Sequence, residues 1–193
     1  ELNQMRFPPN WRVLKNGKEV LWFSERDGWG HLYLYSGNGK LKKQITKGDW
    51  LVLEVLLVDE KNNEVFFTGV GREKDRDPYL IHLYKASLKT GKVTLLSSED
   101  AHHIVKTSPN KNYFIDTYST RDTAPVTVVR DLSGKVLMTI EESDIKPLIA
   151  EGWTPPIRFK TKGRNGKYDF YGYITLPKNL KKGVKYPVID YIY

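Results

Sequence analysis

The sequence predicts an all-β chain of about three four-stranded β-propeller blades, on three observations: a pattern that returns three times, Gly-Lys turns at blade spacing, and strands too apolar for a sheet with a solvated face. Each copy reads as a β-rich strand, a polar turn, an aromatic strand, a longer loop, an alternating strand, a Gly-Lys turn and a closing strand. The Gly-Lys turns at Gly39, Gly91 and Gly134 lie 52 and 43 residues apart. A β-sandwich also has short strands and regular turns, and is the competing architecture.

The first copy runs Val20-Leu-Trp-Phe23, a loop at 24–30, His31-Leu-Tyr-Leu-Tyr35, then Gly39-Lys40 and a closing strand at 41–45. The second runs Val65-Phe-Phe67, a loop through Pro78, Tyr79-Leu-Ile-His-Leu-Tyr84, then Gly91-Lys92 and 93–96. The third runs Tyr113-Phe-Ile-Asp-Thr-Tyr118, a loop through Pro125, Val126-Thr-Val-Val129, then Gly134-Lys135 and 136–140. Aromatic and leucine-rich runs of five or six residues suit strands covered on both faces when one blade packs on the next. The glycines stand where a tight hairpin demands positive φ. The stretches 59–63 and 108–111 are polar turns with Asn or Pro in the favoured places.

After the third copy the pattern changes. Residues 141–152 predict a short helix, with Ser143 or Asp144 as cap, Ile145, Leu148 and Ile149 on one side, and Gly152 ending it. Pro147 fits only in its first turn. Trp153-Thr-Pro-Pro156 is a stiff linker, and 157–161 and 168–176 form a hairpin about a turn at 163–166. An apolar strand is expected at 186–193. Propellers close with roughly four to eight blades, so three blades and a strand without a turn after it predict a piece of a longer protein. The division expected is 1–141 for the blades, 142–156 for helix and linker, and 157–193 for the start of a second domain.

Composition narrows the function classes. The 193 residues are 39% hydrophobic and 28% charged, which argues for a folded chain. No apolar run approaches the ~18 residues of a membrane span. With no cysteine, thiol catalysis, disulfides and cysteine-zinc sites are excluded. The net charge of +8 invites a nucleic-acid reading, but acidic residues are interspersed with the lysines everywhere except 178–182, so a solvated surface and no nucleic-acid partner is the expectation.

Two groups of words in the sequence resemble a known family. Ser24-Glu-Arg-Asp-Gly-Trp-Gly-His-Leu-Tyr33 with Gln44-Ile-Thr-Lys-Gly48 resembles the late propeller blades of bacterial dipeptidyl peptidase IV-like enzymes. Gly163-Arg-Asn-Gly-Lys167, Tyr171-Gly-Tyr-Ile-Thr-Leu-Pro177 and Lys185-Tyr-Pro-Val-Ile-Asp190 resemble the start of the catalytic domain in the wider prolyl oligopeptidase family. The resemblance implies that 157–193 holds the first β-strands of an α/β-hydrolase domain. It implies a serine exopeptidase releasing N-terminal dipeptides, with Pro or Ala second, whose propeller gates and shapes the cavity for a peptide substrate. It implies no cofactor and no metal, allows a homodimer of the full-length protein, and favours a periplasmic or extracytoplasmic place.

The family's Ser, Asp and His all lie downstream of the strand at 186–193, and this sequence has no Gly-x-Ser-x-Gly elbow. The chain alone is expected to be inactive, and to self-associate through open blade faces. By resemblance, Tyr193 is the candidate oxyanion-hole donor and Arg6 a candidate substrate-facing residue. Another reading of Tyr193 is a core aromatic like Tyr191. Glu141 and Glu142 are not the family's substrate-binding glutamate pair and read instead as the start of the helix. His31 and His82 read as packing or edge residues, and His102 and His103 as turn residues, with no further ligands for a metal. The competing function is a non-catalytic propeller that binds peptides or proteins.

Overall fold

The computed structural model describes residues 10–191. Its strands form three antiparallel four-stranded sheets, each ordered as the chain runs, followed by a separate hairpin. The first sheet contains β1 (Arg12–Leu14), β2 (Glu19–Ser24), β3 (His31–Ser36) and β4 (Leu41–Gln44). The second contains β5 (Leu51–Asp59), β6 (Glu64–Val70), β7 (His82–Ser87) and β8 (Val93–Leu95). The third contains β9 (His102–Thr107), β10 (Tyr113–Ser119), β11 (Val126–Asp131) and β12 (Val136–Glu142). Four strands in a meander, three times over, are propeller blades.

The blades stack because each middle strand is apolar on a face that the neighbour covers. Leu21, Leu32 and Leu34 of the first sheet meet Val52, Val55, Phe67 and Tyr84 of the second in one core. Leu57, Phe66 and Leu83 on the other face of the second sheet meet Val105 and Phe114 of the third. In that second seam the Phe66 and Phe114 rings lie 5.5 Å apart, a contact worth about 1 kcal/mol beyond its buried area. The backbone repeats the junction. Val52 N–H donates to Gly30 O at 2.8 Å, and His103 N–H donates to Ile81 O at 2.9 Å, so each blade's first strand is pinned to the previous blade's loop.

The Gly-Lys turns have the backbone their sequence requires, with φ of 85° at Gly39, 78° at Gly91 and 89° at Gly134. Other expectations shift. The strand expected from Tyr79 starts at His82, because Asp77 takes the Tyr79 N–H on its side chain and the Leu80 N–H on its carbonyl, closing a turn instead. Glu141 and Glu142 do not begin the helix. They extend β12, opposite Thr127 and Val126, since side chains on an outer strand stay in water while their backbone gains a partner. Likewise His102 and His103 are the first residues of β9 and not turn residues.

Contacts divide the described residues into two units, the second made of Arg121–Ala124 and residues 144–191. Its helix α1 (Lys146–Ala150) is shorter than the expected span, with Pro147 in its first turn. Asp144 Oδ1 accepts the Lys146 N–H at 2.9 Å, and Gly152 closes the helix at φ 82°. Strands β13 (Ile157–Lys162) and β14 (Asp169–Ile174) form the expected hairpin. Residues 186–191, expected as a strand, carry no strand pairing and are exposed, because no described neighbour takes their backbone hydrogen bonds.

Candidate functional site

Antiparallel order sends the loops 25–30, 71–81 and 120–125, and the blade-to-blade connections 45–50 and 96–101, to the same end of the strands. Buried His31, Thr46, His82, Ser97 and His103 stand at this end, the rim, whereas buried Glu19 lies at the other end of β2 with Lys15 and Lys42. In the first blade His31 heads β3 and is fully buried. Its Nε2 donates to Gly48 O at 2.9 Å, which leaves Nδ1 to accept from the Thr46 hydroxyl at 3.0 Å. Thr46 Oγ1 in turn accepts the Leu32 N–H at 3.0 Å. The second blade repeats the device fifty-one residues on: His82 heads β7, and Ser97 Oγ accepts the Leu83 N–H at 2.9 Å.

The second copy differs in its environment. Ser97 Oγ stands 3.5 Å from His82 Nδ1, and His82 Nε2 has no hydrogen-bond partner among the described residues. Burial, then the neighbouring His103 and Arg76, push its pKa down to about 4. The His82 and His103 rings lie 5.4 Å apart.

His103 belongs to a charged cluster between the second and third blades. Its Nδ1 faces both Asp116 oxygens at 2.9 and 3.0 Å, and its Nε2 faces Glu99 O at 3.2 Å. Arg130 donates from Nε to Asp116 Oδ2 at 2.7 Å, from Nη2 to Glu99 Oε2 at 2.7 Å, and from Nη1 to Gly134 O at 3.1 Å. Burial opposes the charge of Arg130, but the Glu99 and Asp116 carboxylates outweigh it and raise its pKa. For Glu99 burial again opposes ionisation, and the Arg130 hydrogen bond carries its pKa below the usual value. Above this seam Arg76 donates to Ser98 O and Glu99 O at 2.9 and 3.2 Å, and Arg72 lies 5.6 Å over the Tyr84 ring. The 71–81 loop is thus held to the blades near its start and at its middle.

The chemistry of this cluster is limited by access. Ser97, His82, His103 and Asp116 gather the residue types of a hydrolytic triad, yet all four are buried and Ser97 already accepts a backbone N–H. A nucleophile must reach its substrate, so the cluster holds loops in place and does not attack a peptide bond. Arg130 and Asp116 escaped the sequence reading, although alternation marks them: Phe114, Asp116 and Tyr118 share one face, as do Val128 and Arg130. A charge on the apolar face of a strand is the signal of a buried partner. Arg6 and Tyr193, the two residues singled out from the sequence, lie outside the described residues.

The loop of the first blade is ordered by its own side chains. Asp27 Oδ2 accepts from the Tyr33 hydroxyl at 3.1 Å and from Gln44 Nε2 at 2.7 Å, and Arg26 lies 4.3 Å over the Tyr33 ring. Gly30 cannot be replaced without moving Phe23, whose ring a Cβ would meet at 2.6 Å. The Ser-Glu-Arg-Asp-Gly-Trp-Gly stretch is therefore a packed turn.

Known proteins share this architecture. The curated dipeptidyl peptidase 4 of Trichophyton equinum is 30% identical over 190 residues, which cover 90% of this chain and 23% of that protein. The dipeptidyl peptidase 4 of Arthroderma otae is 34% identical over 106 residues, covering 53% of this chain and 13% of that protein. Among solved structures, a putative dipeptidyl aminopeptidase IV from Bacteroides ovatus superimposes with a TM-score of 0.74 at 25% identity, over 91% of this chain and 27% of that one. Porphyromonas gingivalis dipeptidyl peptidase 4 does so with a TM-score of 0.73 at 26% identity, over 92% and 25%. The chain thus spans about a quarter of the length of these longest matches. A family model described as the dipeptidyl peptidase IV (DPP IV) N-terminal region matches residues 3–125. Because that match runs through the same strands that stack into blades, the chain belongs to the dipeptidyl peptidase IV N-terminal region family.

Proposed function

We propose that this chain supplies late propeller blades and the first strands of an α/β-hydrolase domain to a serine exopeptidase that releases N-terminal dipeptides from peptides, with Pro or Ala second. The observation that carries the reading is the run of three stacked blades, of which the first two and the first two strands of the third lie within a match to the dipeptidyl peptidase IV N-terminal region. The relatives' names support a dipeptidyl peptidase, and the preference for Pro or Ala rests on the family resemblance. In this reading the blades shape the cavity that admits peptides, and the buried His103, Asp116 and Arg130, with the partly exposed Glu99, keep its rim loops in register. The boundary expected at 142 moves by one residue, because Glu142 ends β12; residues 143–156 hold the helix and linker, and 157–193 lead into the catalytic domain. Tyr193 is the oxyanion-hole donor and Arg6 faces the substrate. A phenol aimed at developing negative charge stabilises the transition state more than the substrate, so it acts on kcat.

The test uses the full-length protein. A fluorophosphonate probe labels its serine, a Gly-Pro chromogenic substrate is turned over, and Tyr193→Phe lowers kcat by about 100- to 1000-fold with little change in KM. Full-length protein that binds proline peptides but is neither labelled nor active would replace the enzyme with a binding module. Unchanged kcat in Tyr193→Phe would leave the peptidase standing and remove Tyr193 from it.

A further inference from the structure

The antiparallel meander sorts charge between the two ends of the blades. In the first two blades the loops 25–30, 45–50 and 71–81 lie at the rim, and the turns 15–18, 37–40, 60–63 and 88–92 lie at the opposite end. Lysines that are scattered singly along the sequence are collected at that opposite end. Lys15, Lys18, Lys40, Lys61, Lys89 and Lys92 stand in its turns, all exposed, against one acidic residue, Glu60. The three rim loops carry five basic and six acidic residues.

The acidic groups nearest the lysine turns are already engaged. Glu19 is buried and pairs with Lys15 and Lys42, Glu60 Oε2 accepts the Lys15 N–H at 2.7 Å, Asp59 is held by Asn62, and Glu64 pairs with Lys85. Lys18, Lys40, Lys61, Lys89 and Lys92 make no side-chain hydrogen bond or ion pair among the described residues. The turns also form one surface. Gly37 N–H donates to Lys18 O at 2.7 Å and Leu88 N–H to Asn63 O at 2.8 Å, joining the two turns within each blade. The Lys15 bond to Glu60 joins one blade to the next. Like charges held together without counter-charges raise a common positive potential, which an anionic partner relieves.

The residue types select that partner. The four turns contain no aromatic residue and no arginine. Single-stranded nucleic acid needs aromatic platforms for its bases, and fixed phosphate sites use the planar arginine fork. Lysines on separate flexible stems suit a diffuse anionic surface with no set geometry. Leu88 is the one large apolar residue of the turns and it is buried, so nothing is offered for insertion below lipid headgroups.

We propose that the lysine-bearing end of the first two blades is an interaction surface for a membrane containing anionic lipids, held at the headgroups by charge alone. The surface needs only the blades, and it stands whatever reaction the parent protein catalyses.

The test mixes the full-length protein with vesicles of phosphatidylcholine containing about one third phosphatidylserine, and reads binding by co-sedimentation. Binding is expected to these vesicles and not to phosphatidylcholine alone, and to fall steeply between about 0.05 and 0.5 M salt as the Debye length shrinks. Lys40→Gln with Lys92→Gln should lower the partition coefficient about 25-fold, at roughly fivefold for each lysine near the surface. Lys47→Gln with Lys74→Gln removes the same charge from exposed positions in the rim loops. Being at the far end of the strands, it should change binding by less than about twofold. Absence of binding, or equal binding to both kinds of vesicle, would overturn the proposal. So would equal losses in the two double variants, which would make net charge the cause. Binding to duplex DNA without binding to the vesicles would overturn it in favour of a nucleic acid.

Discussion

Replacing Asp116 by Asn keeps the shape of a fully buried side chain and removes its charge. The consequence follows from what Asp116 holds. Arg130 Nε donates to it at 2.7 Å and His103 Nδ1 faces both its oxygens, while the Arg130 side chain is 2% exposed. Taking away one partner of a buried ion pair costs about 3 to 5 kcal/mol, mostly because the other charge stays behind without compensation. Arg130 keeps Glu99 and the Gly134 carbonyl, which places the loss near the lower end, at about 3 kcal/mol. With an m-value of roughly 2 kcal/mol/M in urea, the unfolding midpoint falls by about 1.5 M. Glu64→Gln is the control. It breaks the half-exposed pair with Lys85 and should cost less than about 1 kcal/mol. Equilibrium unfolding followed by tryptophan fluorescence reads both. An Asp116→Asn midpoint no lower than that of Glu64→Gln would refute the claim that this cluster ties the second and third blades together.

Two further predictions rest on local geometry. The pKa of His82 is about 4 in the fold against an ordinary 6.5, so protons bind the unfolded chain more tightly. Its contribution is complete above about pH 6.5 and is lost as pH falls toward 4, about 3 kcal/mol in all. The groups acting on it are His103, Arg76, Glu73 and Asp100. In His82→Leu the slope of stability between pH 6.5 and 4 should flatten relative to wild type; an unchanged slope would show that His82 does not set it. Gly39→Ala and Gly134→Ala test a second point, since both glycines have positive φ. A Cβ at Gly39 meets nothing within 4 Å, whereas at Gly134 it would lie 2.5 Å from Leu96 O. The first should cost about 1 kcal/mol from backbone strain alone, and the second clearly more by urea unfolding. Equal costs would argue against the tight approach of the two blades there.

Much of the blade architecture was legible in the order of residues, because it rests on local rules. Glycine at positive φ marks the hairpins at Gly39, Gly91 and Gly134, and aromatic runs such as 31–35 mark strands covered on both faces. Repetition at blade length then converts strands into blades. The same rules located the hairpin of β13 and β14 and the short helix behind Asp144. Boundaries were less legible where two local preferences compete. At Glu141 and Glu142 helix-favouring charge lost to strand pairing with Thr127 and Val126. At Tyr79 a strand-favouring aromatic lost to the Asp77 turn.

Only the tertiary structure decided which charges are paired. Glu99, His103, Asp116 and Arg130 are spread over thirty-two positions and three elements of chain, so no short-range pattern joins them. They meet because one blade's connection folds across the next blade's strands, and burial then requires every charge to find a partner. The sequence by itself determined that there would be blades, since turn geometry and apolar alternation act between near neighbours. Stacking determined where the polar groups of the rim would close on one another, because that depends on distances across a seam which residues far apart in the chain build together.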